Sequence, residues 1–457
     1  MPRGHVRPSK YNRLVAFEND WYLFNAFRRG LHRVTPSVVT ALDELGRGNP
    51  DWDIDLSDAI LAELTSSGYV IDEAMDEDEE IARQVQEQKD DVSSISLTIA
   101  PTMKCNFGCP YCYEGQDKDE RPMDDDTINA LVRFAAGLYR DDCRELRVTW
   151  FGGEPLLGLP QMESLTHKLL REVVEPHGLA YHASIITNGY GLTRKVAERL
   201  RGMQVSFTQI TLDGMAVDHD RRRFLRIGRK PTFHQIVDNI KESCDVLNIA
   251  VRVNLDKTNQ ESFLPLVEFL RNEGIHPLHV YPSPMRDHGD QKMDSAYCSL
   301  DEFVAVKNVL ADEEASLAED FFPYPIARRM WCGAQHDMAW VIAANGDLHK
   351  CWDTINNPSQ AVGSVWEGTD SSKLDFWKHW GPFSQPKCEG CKLLPLCMAG
   401  CPAMAQRAGG LPQCEQSGAE VESALRTFVR LHRDQGQPAR RLGDAKLTPG
   451  VEVEKRR

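Results

Sequence analysis

The chain has 457 residues, 41% of them hydrophobic and 26% charged, and a formal net charge of −15. Such a length calls for two or three domains. The acidic balance speaks against a phosphate-backbone partner, which would meet a basic face, and no apolar run approaches the roughly 18 residues of a membrane span. The basic start, "MPRGHVRPSKYNRLV", lacks the apolar stretch of an export signal, so the protein is expected in the cytoplasm, with neither nucleic acid nor membrane as partner.

Residues 1–72 read as a small α+β unit. "NRLVAFE" and "WYLFNAF" are expected as strands, "TPSVVTALDEL" and "LSDAILAELTSSG" as helices with Thr35 and Ser57 as caps, and "YVID" as a closing strand, a winged-helix-like sketch. Residues 73–93, "EAMDEDEEIARQVQEQKDD" among them, are dense in acids and are expected as a linker or exposed helix. From 94 to 315 the chain alternates. Apolar runs at "SISLTIA", "ELRVTWF", "HASIITN", "VSFTQITL", "NIAVRVN" and "PLHVYPS" are mostly followed by helical patterns such as "DTINALVRFAAGLY" and "FHQIVDNIKESCDVL". Strand followed by helix, six times over, predicts an α/β fold with a parallel sheet and crossover helices. Six units fall short of a closed eight-fold barrel, so the expectation is an open, partial (β/α)6 barrel with its chemistry at the C-terminal strand ends. The basic run "RRRFLRIGRK" from Arg221 is read as a solvated loop. Residues 316–432 are rich in cysteine, and the tail, 433–457, is expected to be disordered.

Cysteine is the outlier, with 13 residues. In a chain without signs of secretion this points to metal or redox chemistry. Cys105, Cys109 and Cys112 crowd the stretch "TMKCNFGCPYCYEG", directly after the first predicted strand. Structural zinc takes four ligands, whereas three thiolates suit a four-iron, four-sulfide cubane that keeps one iron open for a small molecule. A second set reads C-x13-G-x4-C, gap, C-x2-C-x5-C-x3-C, gap, C: Cys332, Gly346, Cys351, Cys388, Cys391, Cys397, Cys401 and Cys414. A four-cysteine zinc site over 388–414 is the competing reading. Cys143, Cys244 and Cys298 fit no motif and are read as small buried hydrophobes.

The C-x3-C-x2-C triad with an aromatic, Tyr111, before its last cysteine resembles the radical S-adenosylmethionine (SAM) superfamily. Further elements match that family: "GGEP" (Gly152, Gly153, Glu154, Pro155), which contacts the methionyl amino group, "TNG" around Asn188, "TLDG" from Thr211 and "RVN" from Arg252. The resemblance implies that SAM binds the open iron of a [4Fe-4S] cluster on Cys105, Cys109 and Cys112. One electron, from a flavodoxin- or ferredoxin-type donor, then cleaves it to a 5′-deoxyadenosyl radical that abstracts hydrogen from a C–H bond.

The second cysteine set resembles the SPASM extension, which holds two auxiliary [4Fe-4S] clusters. By that resemblance Cys388, Cys391, Cys397 and Cys414 serve the far cluster, and Cys332, Cys351 and Cys401 the near one. The near cluster is then one ligand short, because Met338 stands where sulfatase maturases have a cysteine. Either an iron is open there or His336 or Asp337 fills the place. Those maturases also carry a catalytic Asp directly after the second motif's cysteine; here Trp352 occupies that position and Asp353, one later, is the candidate base. The N-terminal unit resembles the leader-recognition domain of ribosomal-peptide modifying enzymes. The favoured expectation is therefore a maturase that installs a thioether or carbon–carbon cross-link in a ribosomal precursor peptide. The alternatives are an anaerobic sulfatase-maturating type of enzyme, oxidising a Cys or Ser of a protein, and a non-catalytic iron–sulfur scaffold that binds peptides.

Overall fold

The computed structural model describes residues 5–47, 58–115, 117–275, 279–286, 297–433 and 441–442. The expected cap Ser57 and nearly all of the expected disordered tail lie outside these residues.

Near the N-terminus, β1 (Val6–Pro8), β2 (Asn12–Phe17), β3 (Asp20–Asn25) and β4 (Leu31–Val34) are followed by helices Pro36–Gly46 and Asp58–Ser66 and by β5 (Val70–Asp72). Strands β2, β3 and β4 form an antiparallel sheet, while β5 pairs with β1 instead of joining it. Arg441 and Leu442 lie parallel to Arg33 and Val34 on the β4 edge. Thr35 has the extended backbone of an N-cap, but its hydroxyl meets Ser37 Oγ at 2.7 Å instead of capping.

The acidic stretch is no mere spacer. It forms a helix, Glu77–Lys89, capped by Asp76, which accepts from the amides of Asp78 and Glu79. Its apolar side buries Ile81 and Val85 in a cluster with Tyr11, Val15, Phe24 and Phe27 of the N-terminal strands and with Leu394, Leu396 and Met398 far along the chain. Glu77 is fully buried because Ser9 Oγ and the Lys10 amide donate to it at 2.6 and 3.0 Å.

The large sheet begins with β6 (Ser94–Ile99), β7 (Glu145–Trp150), β8 (Ala180–Thr187), β9 (Val205–Thr211), β10 (Asn248–Leu255) and β11 (His279–Pro284). All are parallel and neighbour one another in chain order. Helices Asp125–Leu138, Leu159–Leu169, Arg194–Gly202, Phe233–Ser243 and Phe263–Asn272 lie between successive strands, and Leu300–Glu313 follows the last. Each presents apolar residues three and four apart; Asp125–Leu138 buries Ile128, Leu131, Val132 and Ala135, and is capped by Asp124, which accepts the Thr127 amide at 2.8 Å. The expected six-fold alternation is thus an α/β architecture with a largely parallel sheet.

One parallel strand was not anticipated. β12 (Ala339–Ile342) pairs with β6, and β13 (Asp347–His349), β14 (Gly363–Ser364) and β15 (Gly368–Thr369) extend the sheet antiparallel beyond it. The cysteine-rich part of the chain is therefore anchored to the first strand of the α/β unit by backbone hydrogen bonds. Among the described residues no helix is long and apolar enough to cross a membrane.

Candidate functional site

Parallel topology brings the C-terminal ends of β6 to β10 to one side of the sheet, and the loops that follow carry the sequence-predicted residues. Ile99 lies level with Trp150, and Trp150 with Ile185, so the loops after β6, β7 and β8 start at the same height.

The loop after β6 holds Cys105, Cys109 and Cys112 and is sewn to the glycine turn after β7. The Gly153 amide donates to Thr102 O at 3.3 Å, and the Glu154 amide to Lys104 O at 2.9 Å. A Cβ at Gly153 would stand 2.2 Å from Met103 O, and Gly152 has φ +111 with Thr102 O 2.5 Å from where its Cβ would be. Only glycine permits this approach, which is why the motif needs both. Pro155, buried, opens the short turn Pro155–Gly158.

Glu154 is fully buried and accepts three hydrogen bonds: from Thr187 Oγ1 at 2.6 Å, the Asn188 amide at 2.7 Å and the Leu156 amide at 3.1 Å. Burial raises its carboxyl above the usual range, while those donors pull the other way. Asn188 in turn donates Nδ2 to Asn106 Oδ1 at 2.8 Å, tying the end of β8 to the cysteine loop. Thr211 closes β9 and is nearly buried, and Arg252 on β10 donates Nε to Asn254 Oδ1 at 2.9 Å.

Tyr111 projects into a buried network that reading the sequence did not find. Its hydroxyl donates to Asp213 Oδ2 at 2.5 Å and accepts from Arg223 Nη1 at 2.7 Å. Asp213 and Asp256, both wholly buried, flank Arg222, whose Nε and Nη1 reach them at 3.2 and 2.7 Å. The basic run from Arg221 is thus no solvated loop at these two positions, since Arg222 and Arg223 are 4% and 9% exposed. The "TLDG" match already contained Asp213; nothing in the sequence marked which arginines it would hold.

The three thiols suit the donor set of an iron–sulfur cluster. They share one loop, and burial pushes Cys105 up to about 12 and Cys109 up to about 11, so their ionisation calls for a cationic partner. Buried atoms beside them, Arg223 Nε and Asp213 Oδ1, have no hydrogen-bond partner among the described residues. Lys118 Nζ approaches Cys112 Sγ at 3.7 Å while paired with Glu114 at 2.5 Å. Among the described residues no three His, Cys, Asp or Glu side chains converge tightly enough for a single metal ion.

The second set falls into two groups. Cys332, Cys351 and Cys401 lie within electrostatic range of one another, as do Cys388, Cys391, Cys397 and Cys414. Asp353 lies within electrostatic range of the first group and pairs with Arg407 at 3.4 Å. Asp337 instead pairs with Lys378 at 3.1 Å with more than half its side chain in solvent, and His336 Nδ1 accepts the Met338 amide at 3.0 Å. Trp352, half exposed, stacks on Phe151 with centroids 5.7 Å apart, next to the glycine turn. Asn356 Nδ2 donates to Glu114 O at 2.7 Å and to Asp117 O at 2.9 Å, and the half-buried Tyr113 feels both Cys112 and Cys351. The two cysteine regions are thus neighbours. Of the unassigned cysteines, Cys143 is buried and donates Sγ to Val92 O at 3.0 Å, while Cys244 and Cys298 are half-buried.

Comparison with known proteins agrees with this geometry. Residues 99–270 match the family described as "Radical SAM superfamily". The chain is 25% identical over 227 residues to the radical SAM cyclopropyl synthase TigE of Paramaledivibacter caminithermalis, covering 43% of this chain and 47% of that one, so it spans about half of that relative's length. It is 24% identical to the serine-type anaerobic sulfatase-maturating enzyme of Klebsiella pneumoniae, over 71% of this chain and 87% of the relative. Its fold is similar to that of Streptococcus suis SuiB bound to S-adenosylmethionine, with TM-score 0.52 at 14% identity, covering 90% of this chain and 99% of that one. Residues 99–270 are a Radical SAM domain, which implies S-adenosylmethionine and a [4Fe-4S] cluster as its cofactors.

Proposed function

We propose that the protein is a radical SAM maturase that cross-links a ribosomally made precursor peptide. In this reading Cys105, Cys109 and Cys112 hold the [4Fe-4S] cluster, which with SAM supplies a hydrogen-abstracting radical. Gly152 and Gly153 shape the cradle for the methionyl group, Glu154 fixes that cradle to Asn188, and Tyr111 on the cysteine loop joins Thr211 and Arg252, paired across β9 and β10, in completing the cofactor site. Residues 316–432 act as a SPASM domain with auxiliary clusters on Cys332, Cys351 and Cys401 and on Cys388, Cys391, Cys397 and Cys414. Asp353 is the proposed base, and the electron donor is of flavodoxin or ferredoxin type.

One observation carries the peptide assignment. The N-terminal strands share a single apolar cluster with Leu394, Leu396 and Met398, inside the second cysteine set, and Cys388 and Cys391 pack against it. A peptide leader adding a strand to this small sheet, with residues 1–72 as a winged-helix-like recognition unit, would be held beside the cysteines while its core reaches the strand ends. Streptococcus suis SuiB bound to its precursor peptide SuiA is similar in fold over 91% of this chain, with TM-score 0.51.

The test pairs reduced, anaerobically reconstituted enzyme with a short peptide encoded beside it, with and without leader. The expected result is a product lighter by two hydrogens, with sulfur retained, from the full precursor only. Equal turnover of the leaderless peptide contradicts leader recognition, and loss of sulfur from a cysteine favours the sulfatase-maturating reading.

A further inference from the structure

The segment after helix Ala216–Arg222 runs alongside the cysteine loop. The Gly108 amide donates to Phe224 O at 2.9 Å, the Arg226 amide donates to Asn106 O at 2.8 Å, and Phe107 and Leu225 form an antiparallel bridge. A Cβ on Gly108 would stand 3.0 Å from the Phe224 ring. The segment is itself held from behind, where Thr232 Oγ1 donates to Arg223 O at 2.6 Å and the Leu225 amide donates to Lys230 O at 3.0 Å.

Arg223 occupies the centre of this strap. Its Nη1 donates to the Tyr111 hydroxyl, between Cys109 and Cys112 in the chain, and its guanidinium lies 5.6 Å from the centroid of Phe107, between Cys105 and Cys109. Its Nε is buried and finds no acceptor among the described residues. The other buried cations nearby have carboxylates of their own: Lys118 pairs with Glu114, and Arg222 with Asp213 and Asp256. Among the described residues no carboxylate bonds directly to Arg223, which shares a hydroxyl with Asp213 instead.

We propose that Arg223 is a positioning residue that straps the first cysteine loop and raises the reduction potential of the cluster it holds, with Asp213 acting in the opposite sense. This rests on the reading of Cys105, Cys109 and Cys112 as cluster ligands. A four-iron core with three thiolates carries net negative charge and gains one more negative charge when an external donor reduces it. A buried cation nearby therefore favours the reduced form and a buried carboxylate disfavours it.

The experiment is a redox titration of the full-length, anaerobically reconstituted protein. It is followed by the electron paramagnetic resonance signal that changes on adding SAM, which singles out this cluster. Arg223→Gln moves its midpoint to more negative potential, Asp213→Asn moves it to more positive potential, and Arg223→Lys stays near wild type. Generic damage to the loop would move all three variants the same way. Shifts of one sign in all three, or no shift in Arg223→Gln and Asp213→Asn, overturn the proposal. If Arg223→Gln loads no cluster, a positive shift in Asp213→Asn with Arg223→Lys unmoved supports the proposal, and an unmoved Asp213→Asn overturns it. Wild-type protein without any SAM-responsive signal refutes the reading of the cysteine loop itself, a result distinct from loaded variants that fail to shift.

Discussion

Glu154 receives the backbone amide of Asn188 at 2.7 Å, joining the turn after one parallel strand to the end of the next. With Thr187 and Leu156 also donating to it, the carboxylate accepts three hydrogen bonds and is buried. Glu154→Gln turns an amide donor toward groups that themselves donate. The expected loss is about 2–3 kcal/mol of stability, together with at least about tenfold weaker SAM binding (some 1.4 kcal/mol). Thermal unfolding and equilibrium binding check it, and a variant unchanged in both would show that the turn does not depend on this carboxylate.

Arg222 is the cation between two fully buried carboxylates, Asp213 and Asp256. Removing it takes from both the cation they pair with, so Arg222→Met is expected to cost about 3–5 kcal/mol. Arg222→Met combined with Asp256→Asn should recover part of that loss, because one stranded charge is gone. Denaturant unfolding of the single and double variants measures the difference. A double variant no more stable than the single would mean that the arginine's packing matters more than its charge.

His219 is wholly buried and its proton sits on Nε2. Thr232 gives its hydroxyl proton to Arg223 O and so accepts from His219 Nε2 at 3.0 Å, while Nδ1 accepts the Asp213 amide at 3.2 Å. Burial, with Arg223 and Arg222 nearby, holds its pKa well below the ordinary histidine value. A depressed folded-state pKa means that the unfolded chain takes up a proton near pH 6.5 that the folded chain refuses. The neutral ring's contribution is complete above that pH and is lost as pH falls below it. His219→Asn, which keeps an acceptor near Nδ1, is expected to be less stable at pH 7.5 yet to lose less on going to pH 5. Melting temperatures at the two pH values decide; equal acid sensitivity in variant and wild type would contradict it.

The large elements were legible because their periodicity is strong. The six parallel strands β6 to β11 and the five helices between them follow from apolar runs alternating with three-and-four spacing, and the C-x3-C-x2-C and GGEP motifs fall at strand ends, as parallel topology demands. Less legible was whatever depended on distant pairing. Strand β12 is a four-residue run whose partner, β6, lies more than 200 residues earlier, so nothing local distinguishes it from loop. The acidic helix Glu77–Lys89 reads as solvated because its only buried apolar residues are Ile81 and Val85, whose partners are split between the two ends of the chain. Arg222 and Arg223 sit in a run of basic residues that composition assigns to water. Their burial comes from Asp213, Asp256 and Tyr111, which reach them from three other segments. Of the two side chains read as possible ligands of the near cluster, Asp337 pairs with Lys378 and His336 accepts the Met338 amide, pairings set by side-chain direction and not by spacing.

The most direct test of the account is the metal content and SAM cleavage of anaerobically reconstituted protein, beside a Cys105→Ala, Cys109→Ala, Cys112→Ala triple variant. The wild type is expected to hold about twelve irons, in three four-iron clusters, and to release 5′-deoxyadenosine under strong reductant. The variant should hold about four fewer irons and release none. Zinc in place of iron in the wild type, or 5′-deoxyadenosine formation undiminished in the variant, would contradict it.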